Sequence, residues 1–374
     1  MQVRIRFHHK APPDMNKIRN FSRANLPSQR QMLEELAAFA SDIPVDDYGQ
    51  GTTSVLEARL ADLFGVQACV VMPSGKAAQN IALKLWATRS GSDRIAIHPR
   101  SHIEEAEGRA YSEVFGLQSI ALGKNQAQPT LDDLVSIKDR LGAASVELAL
   151  RPLGGTLIAW DELVAMSKHC RDAGVPFHAD AARIWEAQDY YAQPFPQIAG
   201  LFDSLYVSLY KVIGGFFGGA LLGPESLIDE ARVWQQRLGQ TPYRQFPYIL
   251  SAMKGLDEKL PQVPLFCRKA AALSQLLDGV DGVFAVTPLP AQINMFQVHI
   301  RASVEQLNHG RDQVRSQLGL HLFDWSASTA IEGVSMFEVV AGPATMDLSD
   351  EDVIEAFNLL LSSAHAYENR PDKR

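Results

Sequence analysis

The fold of this chain is decided by the stretch 204-SLYVSLYKVIGGFFGGALLG-223. Ser204 to Ser208 and Gly219 to Leu222 are short apolar runs, a pattern typical of buried strands. Lys211 stands at the end of the first run and before a series of glycines. Surface lysines usually reach water, but desolvation at this position would lower the pKa of the amine and favour its neutral form. A solvated loop lysine is the alternative, and this segment alone leaves both interpretations open.

Similar apolar runs alternate with amphipathic helical patterns from about residue 50 to about residue 225. A helix is expected to begin at Ser54, which has capping-box spacing to Glu57. Another is expected over Trp160 to Ala173, ending at Gly174. The alternation predicts an α/β fold with a mostly parallel sheet and helices on both faces. The other predicted strands are Ala68 to Met72, Arg94 to His98, Val146 to Leu150 and Pro176 to Ala179.

The pattern changes after about residue 260. A long helix passes through Leu273 and Leu277, and later segments predict strands near Val283, Ile293 and Met336, a helix over Val304 to Leu318 and a terminal helix. We therefore expect three parts: an N-terminal segment, 1–45, that packs on the large domain; a large α/β domain, 46–260; and a small α+β domain, 261–374.

Composition limits the possible partners. The 374 residues carry a formal net charge of -8, which would not attract nucleic acid or an anionic membrane, so we expect neither. Cys69, Cys170 and Cys267 lack CxxC spacing, so no metal site and no disulfide framework is expected. No signal-peptide pattern follows the basic N-terminus, and no apolar run reaches about 18 residues, so we expect a cytoplasmic protein.

The segment 176-PFHADAARIWEA-187 reads as a strand that ends at Asp180 and is followed by Arg183. Ligands of open α/β sheets bind outside the carboxyl ends of the strands, which would place both side chains beside a ligand. An N-cap aspartate next to a surface arginine is an equally good interpretation of this segment alone.

Two further segments carry candidate residues. In 69-CVVMPSGKAAQNIALKL-85 a strand is followed by Ser74, Gly75 and a helix, whose free amides could bind a phosphate. His102, in 100-RSHIEEAEG-108, follows another predicted strand. Taken singly, the turn and the histidine are more often structural than functional.

The order of a Ser-Gly turn, a histidine, an H-x-D-x-A-R segment and an S-x-x-K-x-x-G-G segment resembles the threonine aldolase and β-eliminating lyase family of pyridoxal-phosphate (PLP) enzymes. The resemblance runs from about Pro27 to about Gly255 and includes 46-DDYGQGTTSVLEARLADLFG-65. It implies a mostly parallel seven-stranded sheet sandwiched by helices, the large domain of PLP-dependent transferases, with a smaller C-terminal α+β domain.

The resemblance also implies roles for individual residues. Lys211 would be the Schiff-base lysine, Asp180 the partner of the pyridinium nitrogen, and His102 the ring that stacks on the cofactor. The implied cofactor-binding residues are Ser74, Gly75 and Lys76 at the phosphate, with Arg183, Ser208 and Arg244, the last from a neighbouring subunit. The implied substrate-binding residues are Ser22, Tyr48 and Arg183.

Three positions depart from the family pattern. Leu153, in 150-LRPLGG-155, stands in place of a histidine that handles protons, and Lys76 replaces a small hydroxyl residue. In the small domain, Glu338 of 335-SMFEVV-340 stands where the family has an arginine for the substrate carboxylate. Arg151, at a predicted strand end, is the candidate substitute.

The resemblance implies an enzyme that cleaves a β-hydroxy amino acid into glycine and an aldehyde, with PLP as cofactor. β-Elimination from an amino acid is the alternative reaction, and a PLP-binding regulatory protein is the alternative without catalysis. A dehydrogenase would need a GxGxxG turn, which is missing. The resemblance further implies a homodimer or homotetramer with sites at the subunit interface.

Overall fold

A computed structural model describes residues 18–22, 27–40 and 47–368. Residues 1–17, 23–26, 41–46 and 369–374 lie outside the described part. The chain forms two compact units, one of residues 27–267 and one of residues 1–26 and 268–374. We call them the large unit and the small unit.

Each strand is two to six residues long. In chain order they are β1 (Arg19–Asn20), β2 (Ala68–Met72), β3 (Arg94–Ile97), β4 (Gln118–Ala121), β5 (Ala143–Glu147), β6 (Phe177–Asp180), β7 (Ser204–Ser208), β8 (Gly219–Gly223), β9 (Val283–Thr287), β10 (Met295–Ile300), β11 (Leu320–His321), β12 (Ala327–Ser328) and β13 (Ser335–Val340).

Helices connect most of these strands. In chain order they are α1 (Gln29–Phe39), α2 (Thr52–Phe64), α3 (Gly75–Ser90), α4 (His102–Glu105), α5 (Ala110–Glu113), α6 (Leu131–Ser136), α7 (Trp160–Ala173), α8 (Ile184–Tyr191), α9 (Phe195–Ala199), α10 (Glu225–Arg237), α11 (Phe246–Glu258), α12 (Val263–Asp278), α13 (Val304–Leu318), α14 (Pro343–Met346) and α15 (Asp350–Glu368). Among the described residues, 3-10 helices cover Arg151–Leu153 and Leu260–Gln262.

The large unit is built on a seven-stranded sheet of order β2-β8-β7-β6-β5-β3-β4. The neighbours from β7 to β4 are parallel, whereas β8 runs antiparallel to both β2 and β7. Because β8 is reversed on both sides, β2 runs in the same direction as the parallel strands, and the carboxyl ends of β2, β5, β6 and β7 meet at one edge. The predicted α/β fold class is confirmed.

The core of this unit explains the pattern of apolar residues. Ala78, Ile81, Ala82 and Leu85 of α3 form one buried stripe that packs in a cluster with the sheet residues Val70, Ile95 and Leu221. Such a stripe recurs every three or four residues, as a helix facing a sheet requires. The helix α7 ends as predicted at Gly174, whose φ of 65° is the left-handed cap conformation that favours glycine.

Two predicted elements differ from the structure. The strand expected at Val146 to Leu150 ends at Glu147, because the next residues turn back and Leu150 pairs with Thr156. The predicted capping box of Ser54 and Glu57 is wrong. The helix α2 already begins after Gly51, and the buried Glu57 carboxylate accepts the Val71 amide at 2.8 Å and pairs with Arg232 at 2.7 Å.

The small unit holds the antiparallel sheet β12-β13-β10-β9 with α13 and α15 in its core. Residues 18–22 belong to this unit, since β1 pairs with β11 and Phe21 is fully buried among its apolar side chains. The expectation that residues 1–45 pack on the large domain therefore fails for residues 18–22. The two-residue pairing of β1 with β11 joins distant parts of the chain, which local sequence patterns do not reveal.

Among the described helices, none combines the length and the apolar character needed to cross a membrane.

Candidate active site

The carboxyl-end edge of the large sheet collects polar side chains from several strands. Glu147, Asp180 and Ser208 are the last residues of β5, β6 and β7, and Glu147 is paired with Asp180 in the sheet register. All three are buried. Since ligands of such sheets bind outside the carboxyl ends of the strands, this edge is the candidate active site.

Lys211 follows β7 by three residues and faces this edge. Burial lowers the pKa of Lys211 to about 8, and the Arg183 cation acts in the same direction, whereas Asp180 and Glu147 oppose it. An amine with this pKa is partly neutral near neutral pH, and the neutral form is the nucleophile needed to attack a carbonyl carbon. The structure thus favours a desolvated lysine over a solvated loop lysine, since Lys211 is only partly exposed and burial lowers its pKa.

Asp180 and Glu147 are close enough to influence each other. Burial raises the pKa of Asp180, and Lys211 counteracts this rise. Burial together with the Asp180 charge raises the pKa of Glu147 to about 7. The Asp180 carboxylate accepts the Ala182 amide at 3.2 Å. This leaves acceptor capacity on its oxygens for a ligand that donates a hydrogen bond.

His102 is held at this edge by two carboxylates. Its backbone amide donates to Glu147 Oε2 at 2.8 Å, and its ring Nδ1 lies 2.9 Å from Glu107 Oε1. The hydrogen bond that the His102 ring donates to Glu107 raises the pKa of His102, and the Asp180 charge adds to this effect, whereas burial lowers it. The ring is thus biased toward the imidazolium form, while about a third of the side chain, 36%, stays exposed.

The predicted phosphate turn lies at the start of α3. The Ser74 hydroxyl accepts the Ala77 amide at 3.4 Å, and the Ser74 amide donates to Gln240 Oε1 at 3.2 Å. Lys76 turns its ammonium to the Ala106 carbonyl at 3.0 Å, so the ammonium caps a neighbouring loop. Within the described part of the chain, the first-turn amides of Gly75 and Lys76 are those left for a ligand.

Tyr206 fills the space beside this turn. A Cβ atom added at Gly75 would lie 2.0 Å from Tyr206 Oη, so only glycine fits. Tyr206 and Ser208 alternate along β7 and therefore share one face of the sheet. The Ser208 hydroxyl is fully buried, and no hydrogen-bond partner is found for it in the described part of the chain.

Arg183 and Glu186 follow Asp180 on the next turn. Arg183 precedes α8 and lies within electrostatic reach of Lys211 and Tyr210. Burial raises the pKa of Glu186 to about 6, and Arg183 opposes this rise. One Glu186 oxygen, Oε2, is buried and has no hydrogen-bond partner among the described residues.

Tyr48 and Arg244 form an exposed group around Tyr243. The rings of Tyr48 and Tyr243 meet edge to face with centroids 5.1 Å apart. The Arg244 guanidinium lies 4.2 Å from the centroid of Tyr243 and donates to its hydroxyl at 3.0 Å. Tyr48 is 63% exposed, so this group presents aromatic and cationic surface to solvent.

The remaining candidates lie elsewhere. Arg151 and Leu153 form the partly buried 3-10 helix that follows β5. Ser22 belongs to the small unit, where its hydroxyl accepts the Val340 amide at 2.9 Å. Glu338 lies in the middle of β13 opposite Gln297 of β10.

Sequence reasoning missed Glu107, Glu147, Glu186 and Tyr206. Glu107 stands among other acids, which resemble a solvated helix face. Glu147 carried a usable signal, because an acid inside the apolar run 143-AASVELAL-150 is seldom buried without a function.

The chain is similar to several known proteins. It is 24% identical to the low-specificity L-threonine aldolase 1 of Arabidopsis thaliana over 243 residues, which cover 62% of this chain and 67% of that protein. It is 27% identical to the aldolase vrtJ of Penicillium aethiopicum over 216 residues, 56% of this chain and 55% of that protein. The chain thus spans about half to two thirds of the length of these curated relatives.

A solved structure extends the similarity over both units. A Listeria monocytogenes protein, provisionally described as an L-allo-threonine aldolase, shares 30% identity with a TM-score of 0.88, covering 93% of this chain and 97% of that chain. The family model of the beta-eliminating lyases matches residues 29–302, which is well over half of the chain. The chain therefore belongs to the beta-eliminating lyase family.

Proposed function

We propose that the protein is a PLP-dependent lyase that cleaves the Cα–Cβ bond of a β-hydroxy amino acid and releases glycine and an aldehyde. The observation that carries the proposal is the meeting of Lys211, Asp180 and His102 at one sheet edge, where burial lowers the pKa of Lys211 to about 8. The aldolase names of the relatives support the same reaction.

The residues at this edge fit the cofactor. The unpartnered Ser208 hydroxyl and the Gly75 amide could both donate to a phosphate, and the absence of a side chain at Gly75 lets the backbone approach it. Lys211 would hold the cofactor covalently through Nζ. Asp180 has a free acceptor position for a protonated ring nitrogen.

When bound, PLP supplies a ring that accepts the electron pair released as a bond to the substrate Cα breaks. Asp180 would keep the proton on the ring nitrogen, since a buried carboxylate stabilises a neighbouring positive charge. His102 would cover one face of the ring site. Lys211 Nζ, with a pKa of about 8, is partly protonated near neutral pH, so its ammonium form could deliver a proton to the substrate Cα.

Substrate recognition would fall to cations near this edge. Arg183 lies beside Lys211, and Arg151 follows β5. Either guanidinium could hold a carboxylate through two parallel hydrogen bonds. This chain has Glu338 where the family pattern has an arginine for the carboxylate, so we assign carboxylate binding to Arg183 and Arg151.

β-Elimination is the second candidate reaction, and the matching family model favours it by its description. It would use the same Lys211 and Asp180 and would release a keto acid and ammonia in place of glycine and an aldehyde. The leucine at position 153 favours it as well, because no histidine stands there to take the β-hydroxyl proton.

Subunit assembly and location stay predictions. The exposed group of Tyr48, Tyr243 and Arg244 supports a homodimer or homotetramer, since aromatic residues and arginine are enriched at protein interfaces. A role of Arg244 at the cofactor phosphate of a neighbouring subunit belongs to the same proposal. Cys69, Cys170 and Cys267 are buried thiols that form no disulfide among the described residues, which agrees with a cytoplasmic location.

The test is a panel of amino acids, β-hydroxy and otherwise, incubated with the purified protein and PLP. Glycine with an aldehyde is the expected product pair, and Lys211→Ala is the control that should abolish it. A keto acid with ammonia would favour β-elimination. No product from any substrate, despite a bound cofactor, would contradict both reactions.

A further inference from the structure

The proposed mechanism does not use the buried carboxylate of Glu107, which lies at this sheet edge. Its side chain is 1% exposed, although it follows two exposed or partly exposed acids, Glu104 and Glu105. Three side chains, those of Gln79, Asn80 and His102, lie within hydrogen-bond distance of it, which is unusual for an acid that follows a surface helix.

The α3 helix holds Glu107 in place. Asn80 Nδ2 donates to Glu107 Oε2 at 3.1 Å, and Gln79 Nε2 donates to Oε1 at 3.4 Å. Asn80 Nδ2 also donates to the Lys76 carbonyl at 2.7 Å, which ties this network to the first turn of the helix. A carboxylate with two amide donors keeps one position and one orientation.

The remaining capacity of Glu107 is directed at His102. Its Oε1 lies 2.9 Å from Nδ1 of the ring. The backbone amide of His102 donates separately to Glu147, the last residue of β5. A carboxylate accepts and does not donate when ionised, so Nδ1 must carry the proton. Nε2 is then the ring nitrogen left to face the site.

We infer that Glu107 is a positioning residue that fixes the orientation of the His102 ring and the nitrogen that carries its proton. The inference rests on the proposed function, in which His102 covers the cofactor. With Nδ1 committed to Glu107, the ring cannot turn over to exchange its two nitrogens without breaking a buried hydrogen bond to a charged group.

Other charged groups also act on His102. Asp180 and Glu147 are the acids that face it from β6 and β5, and both raise its pKa, as Glu107 does. Lys211 lies beside Asp180 and Glu147 and offsets part of their charge. Glu107 is the acid whose carboxylate lies within hydrogen-bond distance of a ring nitrogen, at 2.9 Å from Nδ1.

The test is NMR titration of the full-length chain labelled in histidine, with and without PLP. His102→Gln identifies the His102 signal among the 10 histidines. In the unsubstituted protein, the neutral ring should carry its proton on Nδ1. Glu107→Gln, which keeps the shape and removes the charge, should move the titration of His102 to lower pH. The matched control is Glu105→Gln, two residues earlier in a solvent-exposed pair with Arg100, and it should leave the titration in place.

The pH profile of turnover gives a second readout that loss of stability alone would not move. The part of the pH profile that depends on the protonation of His102 should move to lower pH in Glu107→Gln. It should stay in place in Glu105→Gln. If Glu107→Gln fails to fold, Glu107→Asp keeps the charge but withdraws it from Nδ1, and it should also move the titration to lower pH. An unchanged titration in both variants, or a neutral ring protonated on Nε2, would overturn the inference. Titration of the cofactor-free chain gives this answer whatever the substrate panel shows, so a silent panel would overturn the proposed function alone.

Discussion

Glu147 and Asp180 occupy paired positions at the ends of two neighbouring parallel strands, so two buried carboxylates lie side by side at the candidate active site. Like charges in a shielded place disfavour each other. Burial and the Asp180 charge therefore raise the pKa of Glu147 to about 7. The positive charge of Lys211 acts in the opposite direction and lowers this pKa. The site therefore holds a proton near neutral pH that ordinary carboxyl groups would have lost.

The first prediction concerns this proton. The Glu147 carboxyl has a higher pKa in the folded chain than in the unfolded chain, so the folded state binds the proton more tightly. Its contribution to stability is complete at low pH and is lost as pH rises toward about 7. As the pH rises from about 5 to about 8, the free energy of unfolding should therefore fall less for Glu147→Gln than for the unsubstituted protein. The difference should be at most about 3 kcal/mol.

Urea unfolding at several pH values measures this difference. Glu105→Gln, at the surface, is the matched control and should show the pH dependence of the unsubstituted protein. If the free energy of unfolding depends on pH in the same way in Glu147→Gln and in the unsubstituted protein, Glu147 is ionised throughout this range.

The second prediction concerns Lys211. Borohydride reduction of the holoenzyme should fix PLP on Lys211. The rate at which cofactor-free protein binds PLP should increase from about pH 7 to about pH 9, because the neutral fraction of the Lys211 amine, with a pKa of about 8, increases over this range. Peptide mapping by mass spectrometry identifies the modified lysine. Lys259 is an internal control, because burial lowers its pKa as well. Modification of Lys259 instead would refute the assignment.

The third prediction concerns Asp180→Asn, which removes the negative partner of the cofactor's ring nitrogen and leaves the shape nearly intact. Loss of one preorganised electrostatic group typically costs about 10²–10³-fold in kcat. Steady-state kinetics with the best substrate of the panel measures this loss. Asp189→Asn, in the same segment on α8, should retain the rate. A full rate for Asp180→Asn would mean that ring protonation is not used.

The fourth prediction concerns the crowded turn at Gly75. Gly75→Ala would place a Cβ 2.0 Å from Tyr206 Oη, and relief of such a clash in a packed core costs about 1–3 kcal/mol. Both the free energy of unfolding and the affinity for PLP should fall, as seen by urea unfolding and absorbance titration. Gly279→Ala, whose Cβ would lie 3.4 Å from its nearest neighbour, is the control and should fold normally. Equal stability of the two variants would show that the turn can shift.

The fifth prediction concerns the departures at positions 153 and 338. Threonine should be a poor substrate, because a missing general base typically costs about 10²–10⁴-fold. If Arg151 holds the carboxylate, Arg151→Ala should raise KM about 10- to 100-fold, since a hydrogen bond to a charged group is worth about 1.5–3 kcal/mol. Glu338→Ala should change KM little. Fast threonine cleavage, unaffected by Arg151→Ala, would contradict this interpretation.

Local patterns in the sequence were sufficient for the framework of the site. The strand predicted at Ser204 to Ser208 has these bounds in the structure and is buried throughout, and Asp180 ends its strand. Apolar periodicity is set by neighbouring residues, so it reports strands, helices and the residues at their ends. Lys211, Asp180 and the Ser74–Gly75 turn were placed at one sheet edge for that reason.

The tertiary structure alone decided which side chains meet there. Nothing local distinguishes Glu107, buried against His102, from its neighbour Glu105 at the surface. Tyr206 reaches Gly75 across more than a hundred residues of chain, and Arg19 pairs with Leu320 in the small unit. Burial, pKa shifts and hydrogen bonds of this kind depend on the packing of distant segments, and a sequence pattern of a few residues carries no information about the partner.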